Sequence, residues 1–442
     1  MENSRKIAVD IIHAVFTKNA YSNILLRNEL NKFKLEDKDK GLITEIVYGT
    51  IKYKYTIDTI LNSFLKNGIK KLDPYVLNIL RAALYQIRFL DKIPGFAAVN
   101  EAVELTKKQH SIGASKLVNG VLRNYLRNSN KSFYNEKNAI EGLCFNYSFD
   151  KWLVDIFVKQ HGIERAEHIL KGLNERPATT VRVNSLKITY DEAFDRLNEY
   201  GYDVEEGYVC PEAIIINKGR SIEDNPLFKE GKITVQDESA MLVAPSMGAK
   251  EDLKIMDLCS APGGKTTHIA ELINDKGEIT AFDIHKNKLS LVEDNAKRLG
   301  IKSIKYYEMD ATIFNKDLEN SSNGVLIDVP CSGLGIIRKK PEIKYSKDLK
   351  AIKDIVAIQK NIMNNAAKYV KVGGVLLYST CTLNKEENEN NIKWFLKEHP
   401  EYVIEPLFYG DLPNFIYENG MVTILPNRYM DGFFITKLKR QW

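Results

Sequence analysis

Cysteine is scarce in this 442-residue chain and poorly spaced for structural use. The five thiols fall at 144, 210, 259, 331 and 381. Their number is odd and no pair has Cys-x-x-Cys or zinc-ligand spacing, so neither a disulfide framework nor a metal site is indicated. Reduced thiols in a reducing compartment fit better. The seven histidines show no paired spacing that would hold a metal. No apolar run approaches the roughly 20 residues that cross a bilayer. Met1-Glu2-Asn3-Ser4-Arg5-Lys6 leads into an amphipathic pattern rather than a signal-peptide core. Repeats and long low-complexity segments are lacking too. The expectation is a cytoplasmic chain with no metal and no membrane anchor, acting as a monomer.

What is present is ordinary for a globular protein that buries full cores: 44% hydrophobic and 27% charged residues. The length suits roughly two to four domains. The net charge of +5 is unevenly placed: residues 1–130 carry 21 Lys+Arg against 12 Asp+Glu, and the remainder 42 against 46. A basic front attached to a near-neutral remainder suggests an anionic partner met by the first module, with Arg27, Lys32, Lys34, Lys38 and Lys40 as phosphate contacts.

Hydrophobic period divides the chain into three. Residues 1–130 read as an all-α bundle, with Ile7, Ile11, Ala14 and Val15 on one helical face and Ile43, Ile46 and Val47 on another. Asp73-Pro74 is a helix start, Asp as N-cap and Pro in the first turn. A polar linker over 127–138 leads to a small α+β module at 140–233. From 234 to 442 strands and helices alternate, the sign of a parallel, Rossmann-like α/β sheet.

Within that last part the strands are expected at 254–258, 279–282, 304–308, up to Asp328 and up to Cys381, with 421–425 and 432–437 as an antiparallel edge. The polar chemistry then falls at carboxyl ends of strands, where open α/β sheets bind ligands. Cys259-Ser260-Ala261-Pro262-Gly263-Gly264-Lys265 is a glycine turn opening a helix, able to bring backbone amides to a ligand. It lacks the first glycine and four-residue spacer of a phosphate-binding loop. Asp283 is placed for the two hydroxyls of a ribose and Asp310 for the exocyclic amine of an adenine. With Asp328, these carboxylates would repel phosphates and welcome a cationic sulfonium. S-adenosylmethionine is therefore preferred to a nucleotide or dinucleotide. Lys265 is placed for the cofactor carboxylate or a phosphate. Two thiols, Cys331 in Asp328-Val329-Pro330-Cys331 and Cys381 in Ser379-Thr380-Cys381, end strands of this sheet and suggest covalent chemistry on a base. Lys339 and Lys340, just after the Pro-Cys turn, are candidate RNA-backbone contacts.

Taken together, Asp257-Leu258-Cys259-Ser260-Ala261-Pro262-Gly263-Gly264-Lys265-Thr266, Asp328-Val329-Pro330-Cys331-Ser332-Gly333 and Ser379-Thr380-Cys381-Thr382 resemble the motifs of the RNA 5-methylcytosine methyltransferases, the NOL1/NOP2/Sun family. Asp431-Gly432-Phe433-Phe434 is similar to that family's closing motif, and Val235-Gln236-Asp237-Glu238-Ser239 to the segment that opens its catalytic domain. The front, notably Asp39-Lys40-Gly41-Leu42 and Lys116-Leu117-Val118-Asn119-Gly120-Val121-Leu122-Arg123, resembles a NusB-like RNA-binding domain. That pairing resembles the branch of the family acting on small-subunit (16S) ribosomal RNA. The resemblance implies methyl transfer from S-adenosylmethionine to carbon 5 of a cytosine.

Carbon 5 is too weak a nucleophile unaided. A thiolate adding at carbon 6 activates it, and a second group must later help remove the carbon 5 proton so that the thiol can leave. Chemistry alone does not rank the cysteines, and analogy with DNA cytosine methyltransferases would choose Cys331. The family resemblance implies Cys381 as nucleophile, Cys331 in release and Asp328 facing the cytosine edge and the methyl donor. Arg182 and Asn184 match a family segment near the site and are expected to touch RNA. Two other readings stay open: the same chemistry on transfer RNA or large-subunit (23S) ribosomal RNA, and a catalytically silent RNA-binding assembly factor.

Overall fold

The computed structural model describes residues 4–18, 20–33 and 35–442. Lys34 of the basic front and Met1 to Asn3 of the N-terminal reading lie outside them. The chain forms two compact units, one of residues up to 174 plus Ile337–Ser346, the other of Glu175–Ile336 plus Lys347–Trp442.

The first unit is helical, as the 3.6-residue period requires. Ile7, Ile11, Ile43, Ile46 and Val47 meet in one core with Val76, Leu80 and Leu84 from the helix Pro74–Phe89. Asp73 caps that helix, its carboxylate accepting from the amides of Tyr75 (2.8 Å) and Val76 (3.0 Å). Helices Ala139–Tyr147, Lys151–His161 and Ile163–Gly172 also cluster here, whereas the periodicity assigned them to the middle module. Lys344 explains how Ile337–Ser346 is held in this unit. Its ammonium, fully buried, donates to the carbonyls of Lys52 (3.1 Å) and Ser148 (3.0 Å) and to Asn174 Oδ1 (2.9 Å), meeting carbonyls where two helices end. Glu342 accepts from the amide and hydroxyl of buried Ser22 at 3.1 and 2.8 Å.

The second unit holds two sheets. The small one joins β1 (Thr179–Val183), β2 (Asp203–Glu206), β3 (Ala213–Lys218) and β4 (Ile233–Val235) in the order β2-β3-β1-β4, all antiparallel. The large one contains β5 (Lys254–Asp257), β6 (Glu278–Asp283), β7 (Ile304–Glu308), β8 (Ser322–Asp328), β9 (Val370–Thr380), β10 (Tyr402–Ile404), β11 (Phe415–Glu418), β12 (Met421–Ile424) and β13 (Phe433–Arg440). Its order is β11-β12-β13-β9-β8-β5-β6-β7, with β10 on β13; β5 to β9 are parallel and β13 runs antiparallel to β9. The two expected C-terminal strands are therefore interior, and β11 forms the edge.

Alternation distributes this sheet's side chains between two cores. Ile255, Leu326, Leu377 and Ile435 face one, and Met256, Val325, Ile327, Leu376 and Phe434 the other. The order reverses between β6 and β8, on either side of β5. That switch point is where ligands settle in such folds.

Candidate active site

The loop after β5 is shaped by three local constraints. Ser260 donates through both its amide and hydroxyl to the carbonyl of Phe282 (2.9 Å each), tying the loop to β6. Gly263 has φ +101°, and a Cβ there would sit 2.9 Å from Val292, so only glycine fits. The Ala261-Pro262 bond is cis, and the Pro262 carbonyl accepts from Asn295 Nδ2 at 2.9 Å. The helix Gly264–Leu272 follows directly.

Four carboxylates surround this loop. Burial pushes the Cys259 thiol well up, and the charges of Asp257, Asp328, Asp283 and Asp310 add to that effect. Asp257 is buried and pushed up to about 7, chiefly by loss of water; its bond from Thr266 Oγ1 (2.6 Å) opposes the shift. Asp283 Oδ1 accepts from the His285 amide (2.9 Å), and Asp310 Oδ1 from the amide and hydroxyl of Thr312 (2.9 and 2.7 Å). One oxygen of each is engaged, which orients the carboxylate and leaves the other for a ligand. So negative a cradle, reached by a helix N-terminus, fits an adenosyl group bearing a sulfonium and disfavours phosphates.

Asp328 joins the cofactor cradle to the thiols. Its Oδ2 accepts from Lys265 Nζ at 2.6 Å and its Oδ1 from Ser379 Oγ at 2.7 Å. Burial pulls the Lys265 ammonium down, but the charge of Asp328, its hydrogen bond and the other nearby negative groups together outweigh it and the net direction is up. Lys265 therefore serves Asp328 rather than standing free for a phosphate.

Cys331 Sγ and Cys381 Sγ lie 3.2 Å apart, both reduced and partly exposed, at the ends of the paired strands β8 and β9. The hydrogen bond with Cys381 is the main reason that the Cys331 thiol is pushed well up, with burial next and the charges of Glu387 and Asp328 behind. The contact and the burial together favour the protonated form of the Cys331 thiol.

What fixes this spacing carries no local sequence signal. Glu387, fully buried, accepts from the Ser332 amide (2.7 Å), Ser332 Oγ (2.6 Å), Asn384 Nδ2 (3.0 Å) and Gln359 Nε2 (3.2 Å). Ser332 Oγ also meets Thr382 Oγ1 at 2.8 Å, and Gln359 Nε2 donates to the Pro330 carbonyl at 3.0 Å. One carboxylate thus anchors the residues adjoining both cysteines. The turns are further clamped where the Gly335 amide donates to the Cys381 carbonyl (2.9 Å) and the Gly432 amide to the Gly335 carbonyl (3.0 Å). A Cβ on Gly335 would sit 1.9 Å from the Gly432 carbonyl oxygen, and one on Gly432 would sit 2.9 Å from the Gly335 Cα, so this close approach requires glycine at both positions.

The expected RNA contacts of the middle module need correction. Arg182 is fully buried and donates to both oxygens of Glu271 (2.9 and 2.7 Å) and to the Gly264 carbonyl (2.9 Å). Asn184 is buried and donates to the carbonyls of Gly231 (2.9 Å) and Leu299 (3.0 Å). Both brace the small sheet against the cofactor-loop helix and the next one; neither presents a polar group to solvent. Lys339 and Lys340 fall in the segment that belongs to the helical unit, where Lys340 lies over the Tyr21 ring at 5.6 Å. On the basic front, Lys32 pairs with Glu29 (2.5 Å) and Lys38 with Glu36 (2.8 Å), so part of its charge is already balanced. Among the described residues no cluster of His, Cys, Asp and Glu could hold a metal, and no helix is long and apolar enough to cross a membrane.

Comparisons with known proteins bear on the chain as a whole. A family model described as "16S rRNA methyltransferase RsmB/F" matches residues 242–439, the NusB family model matches 2–127, and a ferredoxin-like domain model of RsmF/B-like methyltransferases matches 149–223. The chain is 38% identical to the probable ribosomal RNA small subunit methyltransferase B of Bacillus subtilis, over 99% of this chain and 98% of that one. Among solved structures it resembles PH0851 (30% identity, TM-score 0.84, 100% of this chain and 99% of that one). It also resembles NSun6 from Pyrococcus horikoshii, solved with SFG (27% identity, TM-score 0.60, 66% of this chain and 99% of that one).

Proposed function

The chain belongs to the ribosomal RNA small subunit methyltransferase B family, and from that premise we propose that it methylates carbon 5 of a cytosine in 16S ribosomal RNA through a covalent cysteine–cytosine intermediate. It is an S-adenosylmethionine-dependent methyltransferase acting on ribosomal RNA. The observation that carries the finer reading is the pair of thiols 3.2 Å apart beside Asp328, at the carboxyl end of the sheet whose other strands bear the cofactor carboxylates.

The cofactor, when bound, supplies an electrophilic methyl group. Asp283 and Asp310 hold its adenosyl part, and residues 259–265 form the cradle. Cys381 Sγ, as thiolate, bonds to carbon 6 of a cytosine presented outside its stack. Cys331, the thiol that keeps its proton, donates to that sulfur before attack. Asp328, oriented by Lys265 and Ser379, faces the ring where charge develops. The ring's electrons would then form the bond from carbon 5 to the methyl group as the sulfonium–methyl bond breaks, its electron pair remaining on that sulfur. Transfer of the carbon 5 proton to a base positioned by Cys331 restores the double bond as the Cys381–carbon 6 bond breaks, returning the electron pair to sulfur.

Incubation with methyl-labelled cofactor and either naked 16S RNA or small-subunit particles tests this. The expected product is a single 5-methylcytosine in 16S RNA. Methyl groups found only in transfer RNA or 23S RNA would move the substrate, and none in any RNA would sink the reading.

A further inference from the structure

The second unit carries a large groove that the chemistry above does not use. It measures about 1120 Å³, more than a small-molecule site needs, and is lined by β1, β3 and the loop after it, β4, and Arg428. Its cations are Arg176, Lys218, Arg220 and Arg428, against the carboxylates Glu175 and Glu223. All four cationic residues are exposed. Among the described residues, Arg176, Lys218 and Arg220 have no carboxylate within ion-pair reach. Arg428 is held by Asn217 Oδ1 and lies 3.8 Å from Glu205. A stretch of polymer carrying phosphates would neutralise this wall.

The groove is also mechanically joined to the cofactor loop. Asn295 lines it and donates to the Pro262 carbonyl at 2.9 Å. Thr234 lines it from β4, opposite Arg182 on β1, and Arg182 donates to the Gly264 carbonyl at 2.9 Å. With Arg182 and Asn184 buried, the exposed cations beside this sheet are the groups that can meet a polyanion in this groove.

We infer that the groove docks the sugar–phosphate backbone of an unpaired segment of the RNA substrate, placing it against the elements that build the cofactor loop. This rests on the RNA methyltransferase reading and names the surface that holds the RNA. Phosphate contacts of this kind position a strand without reading its sequence and weaken with salt.

The test is the triple variant Arg176→Glu, Lys218→Glu, Arg220→Glu in the full chain, with Lys350→Glu, Lys353→Glu, Lys397→Glu as a control of equal charge change. Cofactor affinity by calorimetry reports the fold in both. The groove variant is expected to lose at least about 10-fold in affinity for a 16S RNA fragment. Its plot of log affinity against log salt should flatten by about 2, three single-strand phosphate contacts at roughly 0.7 each. Its KM for RNA should rise while kcat at saturating RNA stays. Unchanged affinity and slope in a protein whose wild type binds and methylates RNA would overturn the inference and leave the catalytic reading intact. An equal loss in the control would overturn it as well. A wild type that binds no RNA would overturn both.

Discussion

Glu387 is the residue whose removal most sharply separates a site held in register from one merely containing the right groups. Replacing it with Ala strips five hydrogen bonds from a fully buried position, those from Ser332 N, Ser332 Oγ, Asn384 Nδ2, Gln359 Nε2 and Thr382 Oγ1. A buried donor left unsatisfied costs about 1–3 kcal/mol. The Ser332 amide alone implies a loss of roughly 1–3 kcal/mol, a sizeable part of a total stability of roughly 5–15 kcal/mol. Glu387→Gln is the more informative change, since one oxygen still accepts while the new amide faces donors. It should cost about 1–3 kcal/mol and leave the chain folded. The Cys331 turn then loses its tie to the Cys381 turn, and misplacement by about 1 Å lowers single-turnover methyl transfer by about 100-fold. Affinity for the cofactor should not move, because Asp283 and Asp310 take no part in this network. Denaturant midpoints, single-turnover rates and cofactor titration measure the three quantities. A Gln variant with wild-type transfer, or one whose activity loss tracks cofactor affinity, refutes the brace.

Two further outcomes follow from the charges described. Asp283→Asn should weaken S-adenosylmethionine binding by about 10- to 100-fold by calorimetry, the loss of charge-assisted hydrogen bonds of roughly 1.5–3 kcal/mol, with little change in melting temperature; equal binding would remove Asp283 from the cofactor site. His268 is buried against Glu212 (3.1 Å), and burial with the nearby Arg182 charge lowers its pKa from 6.5 to about 4. The unfolded ring therefore takes a proton first as pH falls. This contribution is whole above about 6.5 and lost toward pH 4, amounting to about 3 kcal/mol over that window. His268→Gln should flatten that part of the stability profile, and an unchanged slope between pH 7 and pH 4 would contradict the assignment.

The parallel strands and their loops were legible because each carries a local signal: an apolar run, then an Asp, a Cys or a Gly-Gly turn. Short strands were not. β2, β4, β10 and β11 run three or four residues, too short for alternation alone to mark a strand, and they lack the Gly-Gly turn that marked β5. Arg182 and Asn184 misled for a physical reason. β1 is buried on both faces, so alternation no longer marks a solvent side, and a cation there finds its carboxylate on a helix 89 residues away. Glu387 was invisible likewise, since its partners at Ser332 and Gln359 lie 55 and 28 residues distant. Lys344 carries no local signal of burial either, since the carbonyls of Lys52 and Ser148 and the Asn174 Oδ1 that receive its ammonium lie 292, 196 and 170 residues away.

The order of events at the two thiols is the central claim, and one gel tests it. Cys331→Ala, incubated with 16S RNA and S-adenosylmethionine, should accumulate a protein–RNA adduct that survives denaturation, because Cys381 still attacks but cannot be released. Adding Cys381→Ala should abolish it. An adduct that forms in the Cys381→Ala protein, with Cys331 intact, would reverse the roles and contradict the account.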